Sequence, residues 1–441
     1  MRDPFREKKK NRMRRNMISS GDSDEQLRQF ERMRDRRNKV RFWLIFGIAI
    51  LAVILLAAAF FALRYYRYTD YELKWEKELP EGSFSGYEHF EENVVRYSHD
   101  GATYFDKDGK EIWVDTYEMS NPKAYVSGNY ICIYDALGTQ IKIYNSVGPV
   151  GDATTLKPIT KAVVSESGVC AAILEDNDAA YITFFKKDGT DLDITIKSRL
   201  EGDGYPVDIA LSPEGTQLIS AFAYLDGGVM KSKVVFYDFS EIGKNTPNRL
   251  VGGFEEPFSD SIVARVCFLN STYSYAVADT GVYIFSSKNI SSPELVNTIV
   301  TGEHIESIVN FRNHLGVIYS DLNDGSNVTD GGSEDDNKQD KTPEDGSQAE
   351  AEPMKNYRLV VYNADGSILF KKEFDDEFDT LQADDSFVYV LGNDICTIYN
   401  LHGIVKFSDY MEDPARMITH GNMPGNFVFS GTTYMKDYQF K

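Results

Sequence analysis

From residue 71 onward, apolar and polar positions alternate in short runs separated by turn-forming residues, the pattern of half-buried β-strands. One unit recurs. A strand closes on an aromatic residue, a polar turn usually containing glycine follows, and a second strand begins. In order these read ATYFDKDGKEIWV, IKIYNSVGPVG, YITFFKKDGTDLDI, KVVFYDFSEIG, GVYIFSSKNISSPELV, RLVVYNADGSILF and ICTIYNLHGIVKF. The closing aromatics are Phe105, Tyr144, Phe185, Tyr237, Phe285, Tyr362 and Tyr399, at spacings of 39, 41, 52, 48, 77 and 37 residues. The long interval contains an acidic low-complexity stretch, residues 321–355, and without it is about 42.

Each unit leaves room for two more strands upstream, as in VDIALSPEGTQLISAFAYLD and TLQADDSFVYVLGN. Four strands per unit at this period predict a β-propeller. An eighth aromatic, Tyr438, follows Tyr399 by 39 residues and lacks a following strand. The segment Tyr71 to Leu79, YELKWEKEL, is patterned like the outer strands KEIWVDTY and SILFKKEF and would supply it. The fold class is therefore all-β, a propeller with eight blades favoured and seven as the alternative. The last blade is composite, built from both ends of residues 71–441.

Ahead of the propeller the pattern is different. Phe42 to Leu63 is 22 residues without a charge, long enough as a helix to cross a hydrocarbon core of about 30 Å. Seven Lys and Arg fall in residues 22–41 and four in 64–83, which predicts a cytoplasmic N-terminus and an extracytoplasmic C-terminal part. Ser23 and Gln26 form a capping box for a helix, DEQLRQFERMRDRRNKV, that runs into the span. The expected organisation is a basic cytoplasmic arm (1–41), a single transmembrane helix (42–63), a juxtamembrane linker (64–70) and the propeller ectodomain (71–441). The acidic insert 321–355 should be disordered. A short linker also predicts that the face bearing the strand-three-to-four turns lies toward the bilayer, with the insert projecting away.

Charge narrows the partners. The chain has a formal net charge of −21, and its basic excess is confined to the N-terminal arm. An acidic ectodomain excludes nucleic acid, which needs basic patches to displace counterions.

No catalytic, cofactor-binding or metal-binding residues stand out. Cys132, Cys170, Cys267 and Cys396 each lie alone in an apolar run, more suited to core packing than to zinc or disulfides. His89, His99, His304, His314, His402 and His420 show no ligand spacing and read as loop residues. Asp108-Gly109, Asp188-Gly189 and Asp365-Gly366 fall at hairpin turns, where Asp caps the backbone and Gly supplies positive φ. Asp321 to Gly325 is out of register for a calcium loop. Ser98-His99-Asp100-Gly101 departs by one position from a sialidase Asp box and occurs once.

The apolar anchor, acidic ectodomain and aromatic-x-x-Asp-Gly hairpins together resemble a family of uncharacterised single-span propeller proteins of Gram-positive anaerobes. The hairpins are also similar to those of quinoprotein-like propellers and of the periplasmic propeller lipoprotein that assists outer-membrane protein assembly. Leu211-Ser212-Pro213-Glu214-Gly215 resembles WD-type and TolB-type repeats. No lipobox cysteine follows the apolar run. The resemblance implies a propeller and no known activity. The expected function is that of a membrane-anchored, non-catalytic scaffold binding an envelope protein or cell-wall polymer on its outer face. The alternatives are a sensory or structural ectodomain signalling through the span, and a glycan-active hydrolase or lyase.

Overall fold

A computed structural model describes residues 24–321, 356–411 and 415–441. The chain divides into two units, Met1–Tyr66 and Arg67–Lys441. In the first, one helix runs unbroken over Asp24–Tyr65, 42 residues. Within it, Lys39–Ala62 is 24 residues long, apolar enough to cross a membrane, and not buried. The proposed Ser23 cap lies outside the described residues, as does the acidic stretch after Asp321 with its Asp-rich segment.

The second unit is an eight-bladed β-propeller. Eight antiparallel sheets of four strands each succeed one another along the chain. Blades 1 to 7 cover residues 86–116, 122–154, 159–199, 205–254, 263–299, 304–374 and 380–410. Blade 8 takes three strands from 417–440 and its fourth from Tyr71–Glu78, which pairs antiparallel with Tyr434–Phe440. The expected closure is therefore observed, and Leu79 extends it through a backbone hydrogen bond to Thr433 O at 2.8 Å.

Burial follows position in the blade. A second strand such as Tyr130–Asp135 is covered on both faces by neighbouring blades and reads as a continuous apolar run. A fourth strand such as Asp191–Arg199 lies at the rim and alternates exposed with half-buried. Eight apolar clusters fill the eight interfaces between adjacent blades. Every closing aromatic of the repeat, Phe105 to Tyr399 and then Tyr438, is buried in one of them.

The Asp-Gly turns join third to fourth strands and lean on the preceding blade. At Asp106 the carboxylate accepts from the N–H groups of Asp108 (3.0 Å) and Lys110 (2.8 Å), and Gly109 has φ +72°. A Cβ on Gly109 would meet the Trp75 ring at 2.8 Å. Glycine is thus required by conformation and by the approach of the composite blade.

The turns between first and second strands share this side, here named the turn face. The other side, the connection face, carries the turns between second and third strands and the links between blades. The acidic stretch leaves from the connection face of blade 6, where Ser320 pairs with Tyr357 and the Asp321 N–H donates to Asn356 O at 3.4 Å. Joining 321 directly to 356 would close an ordinary two-residue hairpin. Excising 322–355 should therefore change unfolding free energy by less than about 1 kcal/mol. Denaturant melts of the two proteins check this, and a loss of several kcal/mol would mean that the segment packs on the propeller.

Candidate functional site

The innermost strands of blades 3 to 6 share one irregularity. Their register shifts between Ile159 and Lys161, Pro206 and Asp208, Val263 and Arg265, and Ile305 and Ser307. An extra residue at the same height of each strand is a β-bulge, which re-aims the side chains beside it. Lys161, Asp208, Arg265 and Ser307 thereby hold equivalent places on four successive blades, a polar belt beside the propeller axis.

Two members satisfy each other. The Lys161 ammonium pairs with Asp208, whose other carboxylate oxygen accepts from the Val266 N–H at 2.8 Å. Asp208 is 2% exposed, and both its oxygens are compensated, as a buried charge requires.

Arg265 is different. It is exposed and makes no hydrogen bond or ion pair with any described residue. With Ala264, Asp279, His304, Ile305 and Glu306 it lines a cavity of about 520 Å³. These residues lie at or near the connection-face ends of their strands, so the cavity belongs to that face. Two residues further toward the turn face, Cys267 Sγ lies 3.9 Å from the Tyr125 hydroxyl of blade 2. That pair reaches across the ring and narrows the axis.

Blade 1 lies diametrically opposite blade 5 and carries Glu88 on its innermost strand, Gly86–Phe90. Glu88 also lacks a hydrogen bond or ion pair among the described residues. The residue is half-buried. Burial pushes its pKa from the ordinary 4.5 up to about 7, and the positive charge of Arg265 offsets part of that rise.

The folded protein therefore holds the Glu88 proton more tightly than the unfolded chain does. That contribution is complete below pH 4.5 and is lost as pH rises through about 7. Glu88→Gln should remove the dependence and leave the variant more stable than wild type at pH 8, by on the order of 2 kcal/mol allowing for screening by water. Melts at pH 5 and pH 8 check this; an equal difference between the proteins at both pH values would contradict it.

A second polar cluster sits on the turn face. Asp384 accepts from the N–H groups of Ser386 (2.7 Å) and Phe387 (2.9 Å), from the Tyr389 hydroxyl (2.5 Å) and from His420 Nδ1 (2.8 Å). His420 Nε2 in turn lies 3.3 Å from Lys107 Nζ, which also bonds Glu92 at 3.0 Å. Burial alone would raise the Asp384 pKa, but the His420 hydrogen bond, the His89 charge and the Tyr389 hydrogen bond together outweigh it and bring it to about 2. Burial in turn pushes the His89 pKa below the ordinary 6.5, and the Asp384 carboxylate offsets part of that fall. An acid–histidine pair suggests nucleophile activation, yet the Lys107 ammonium fills the place a hydroxyl would need. The cluster clamps blades 7, 8 and 1 together.

The structure corrects the expectation that the histidines lie in loops. His89, His304, His314 and His420 are strand residues, placed there because inner strands tolerate polar groups at their ends. His99 and His402 do lie in turns. All four cysteines are buried and free. Ser98 to Gly101 is a tight turn, with the Ser98 hydroxyl accepting from the Asp100 N–H at 3.2 Å. Leu211 to Gly215 is the first turn of blade 4, capped by the Ser212 hydroxyl on Gln217 N–H at 3.1 Å. Among the described residues no three His, Cys, Asp or Glu side chains are grouped to hold a metal.

Residues 64–439 match the family of unknown function DUF5711. The chain belongs to that family. No curated protein matches its sequence significantly. Solved structures similar to this family member include Sqt1 from Chaetomium thermophilum, at 10% identity and TM-score 0.50, covering 84% of this chain and 99% of that one. BamB from Moraxella catarrhalis is 12% identical with TM-score 0.45, over 84% and 100% of the two chains. Hydrazine synthase of Kuenenia stuttgartiensis is 10% identical with TM-score 0.39, over 81% and 94%. At such identities the likeness concerns the propeller fold alone.

Proposed function

We propose that this DUF5711 protein is a membrane-anchored, extracytoplasmic binding scaffold, without catalysis of its own, that docks an envelope partner on its connection face. One observation carries this. Large apolar side chains are concentrated on that face: Leu137 is 70% exposed, Leu156 100%, Leu225 70% and Val300 62%. Leu200, Val229 and Met230 add to them. The turn face has fewer, chiefly Val147, Ile242 and Met423. Clustered exposed apolar side chains on a rigid scaffold mark interaction sites.

Blade 4 reinforces the point. Its second and third strands are ten residues each, Gln217–Asp226 and Val229–Asp238. The hairpin they form carries Leu225 paired with Met230 near its tip, on the connection face. Leu137, Leu156, Leu200 and this hairpin belong to blades 2 to 4 and the links between them, so the apolar positions form an arc.

The test is affinity purification from detergent-solubilised membranes. A variant with Leu137, Leu156, Leu200 and Leu225 changed to Ser should fold normally and lose a partner that the wild type retains. A partner retained equally by both would place docking elsewhere.

A further inference from the structure

We propose that His420 is a proton-operated latch on the turn face. Neutral, it ties blade 1 to blades 7 and 8; a second proton on its ring releases Lys107 of blade 1. This goes beyond docking on the connection face and stands on different residues.

The two partners fix the state of the ring. A carboxylate only accepts hydrogen bonds and an ammonium only donates them. Asp384 lies 2.8 Å from Nδ1 and Lys107 Nζ lies 3.3 Å from Nε2, so the proton sits on Nδ1 and the lone pair on Nε2. Lys107 therefore occupies the nitrogen that would take a second proton. An N–H placed there would point at an ammonium, which cannot accept it and carries the same charge. The lysine must leave. It keeps Glu92, 3.0 Å away and 78% exposed, and can follow that carboxylate outward. Asp384 stays, because its hydrogen bond to Nδ1 strengthens once the ring is charged.

Charges on every side act on this exchange. From blade 7, Asp384 and Asp385 favour the charged ring, while Arg312 of blade 6 lies 2.7 Å from Asp385 and offsets it. The Tyr389 hydroxyl is spent on Asp384. From blade 1, Glu92 favours the charged ring; Lys107 and a protonated His89 oppose it. Asp384 stays ionised throughout, since its pKa is about 2. The His420 side chain is 26% exposed, so water can deliver the proton.

Lys107 belongs to the turn Asp106 to Lys110. Its other grips on blade 8 are Asn422 to Asp108 and Lys77 to the Gly109 carbonyl, both at 2.9 Å. Losing one grip of three loosens the turn and leaves the ring closed.

Histidine 13C NMR of full-length protein in detergent tests the latch, with the His420 signal assigned from its loss in His420→Gln. His420 should titrate between about pH 5 and 8, the ordinary range of histidine. Lys107→Met should raise the midpoint by about one pH unit, because a like charge is removed, while Lys107→Arg should not. Hydrogen exchange of residues 106–110, corrected for its intrinsic pH dependence, gives the structural readout. In wild type it should quicken about five-fold as pH falls through the midpoint, the effect of one lost hydrogen bond. His420→Gln should show no such step. Protection of the wild-type turn that does not fall as His420 gains its proton would overturn the proposal without recourse to any variant. So would a midpoint that Lys107→Met leaves unchanged, or a His420 that stays neutral down to about pH 5.

Discussion

Replacing residues 71–79 with a glycine–serine linker of equal length is expected to abolish the single cooperative melting transition of the propeller and cause aggregation. The strand Tyr71–Glu78 covers the edge of Tyr434–Phe440 over seven residue pairs. Without it, blade 8 presents an unpaired third strand, and an uncovered edge recruits other chains. The replacement also removes Trp75 from above Gly109 and Leu79 from the interface between blades 8 and 1, the cluster that closes the ring. Size-exclusion chromatography and calorimetry provide the readout. A monomer with unchanged melting would mean that the ring closes without this strand.

Phe440→Ala, at the penultimate residue, should cost about 3–5 kcal/mol, a magnitude typical of an aromatic in a core centre. Its ring is 2% exposed. It lies 4.6 Å from the Phe407 ring, 5.2 Å from Phe427 and 5.7 Å from Tyr71, counted between centroids. The position thus joins blade 7, both halves of blade 8 and the linker residue Tyr68, whose ring is 6.1 Å away. Tyr71→Ala should be less than additive with it, since each removes the other's partner. Denaturant midpoints of the two single variants and the double check both statements. A cost under about 1 kcal/mol for Phe440→Ala would indicate a frayed terminus.

The blade count and the composite closure could be read from sequence because each blade repeats the same local chemistry. An aromatic such as Phe105 or Tyr362 must be buried between blades, and a turn such as Asp365-Gly366 must follow it, so the period survives large changes elsewhere. The outer-strand likeness of YELKWEKEL to KEIWVDTY was legible for the same reason, since a rim strand alternates wherever it comes from.

The axial belt was not legible. Lys161, Asp208, Arg265 and Ser307 come one from each blade, and a bulge leaves no mark in composition because it alters pairing without altering residue type. Glu88 is one acid among 68 Asp and Glu, distinguished only by what the ring places around it. The pairing of Asp384 with His420 was not legible either, because the two stand a blade apart. A sequence signal did exist in hindsight: polar residues interrupt otherwise apolar inner strands at matching positions, as in Ile159-Thr160-Lys161 and Val207-Asp208-Ile209.

Two positions at opposite ends of one strand test most directly whether the connection face is the docking surface. Val147 and Leu156 flank Gly148–Thr154, the fourth strand of blade 2, and are 85% and 100% exposed on the turn face and the connection face respectively. A photo-crosslinking residue at each, in full-length protein within intact cells, should behave differently. Docking on the connection face predicts one discrete adduct from position 156, lost when Leu137, Leu200 and Leu225 are changed to Ser, and none from position 147. An adduct from position 147 with none from position 156 would contradict it.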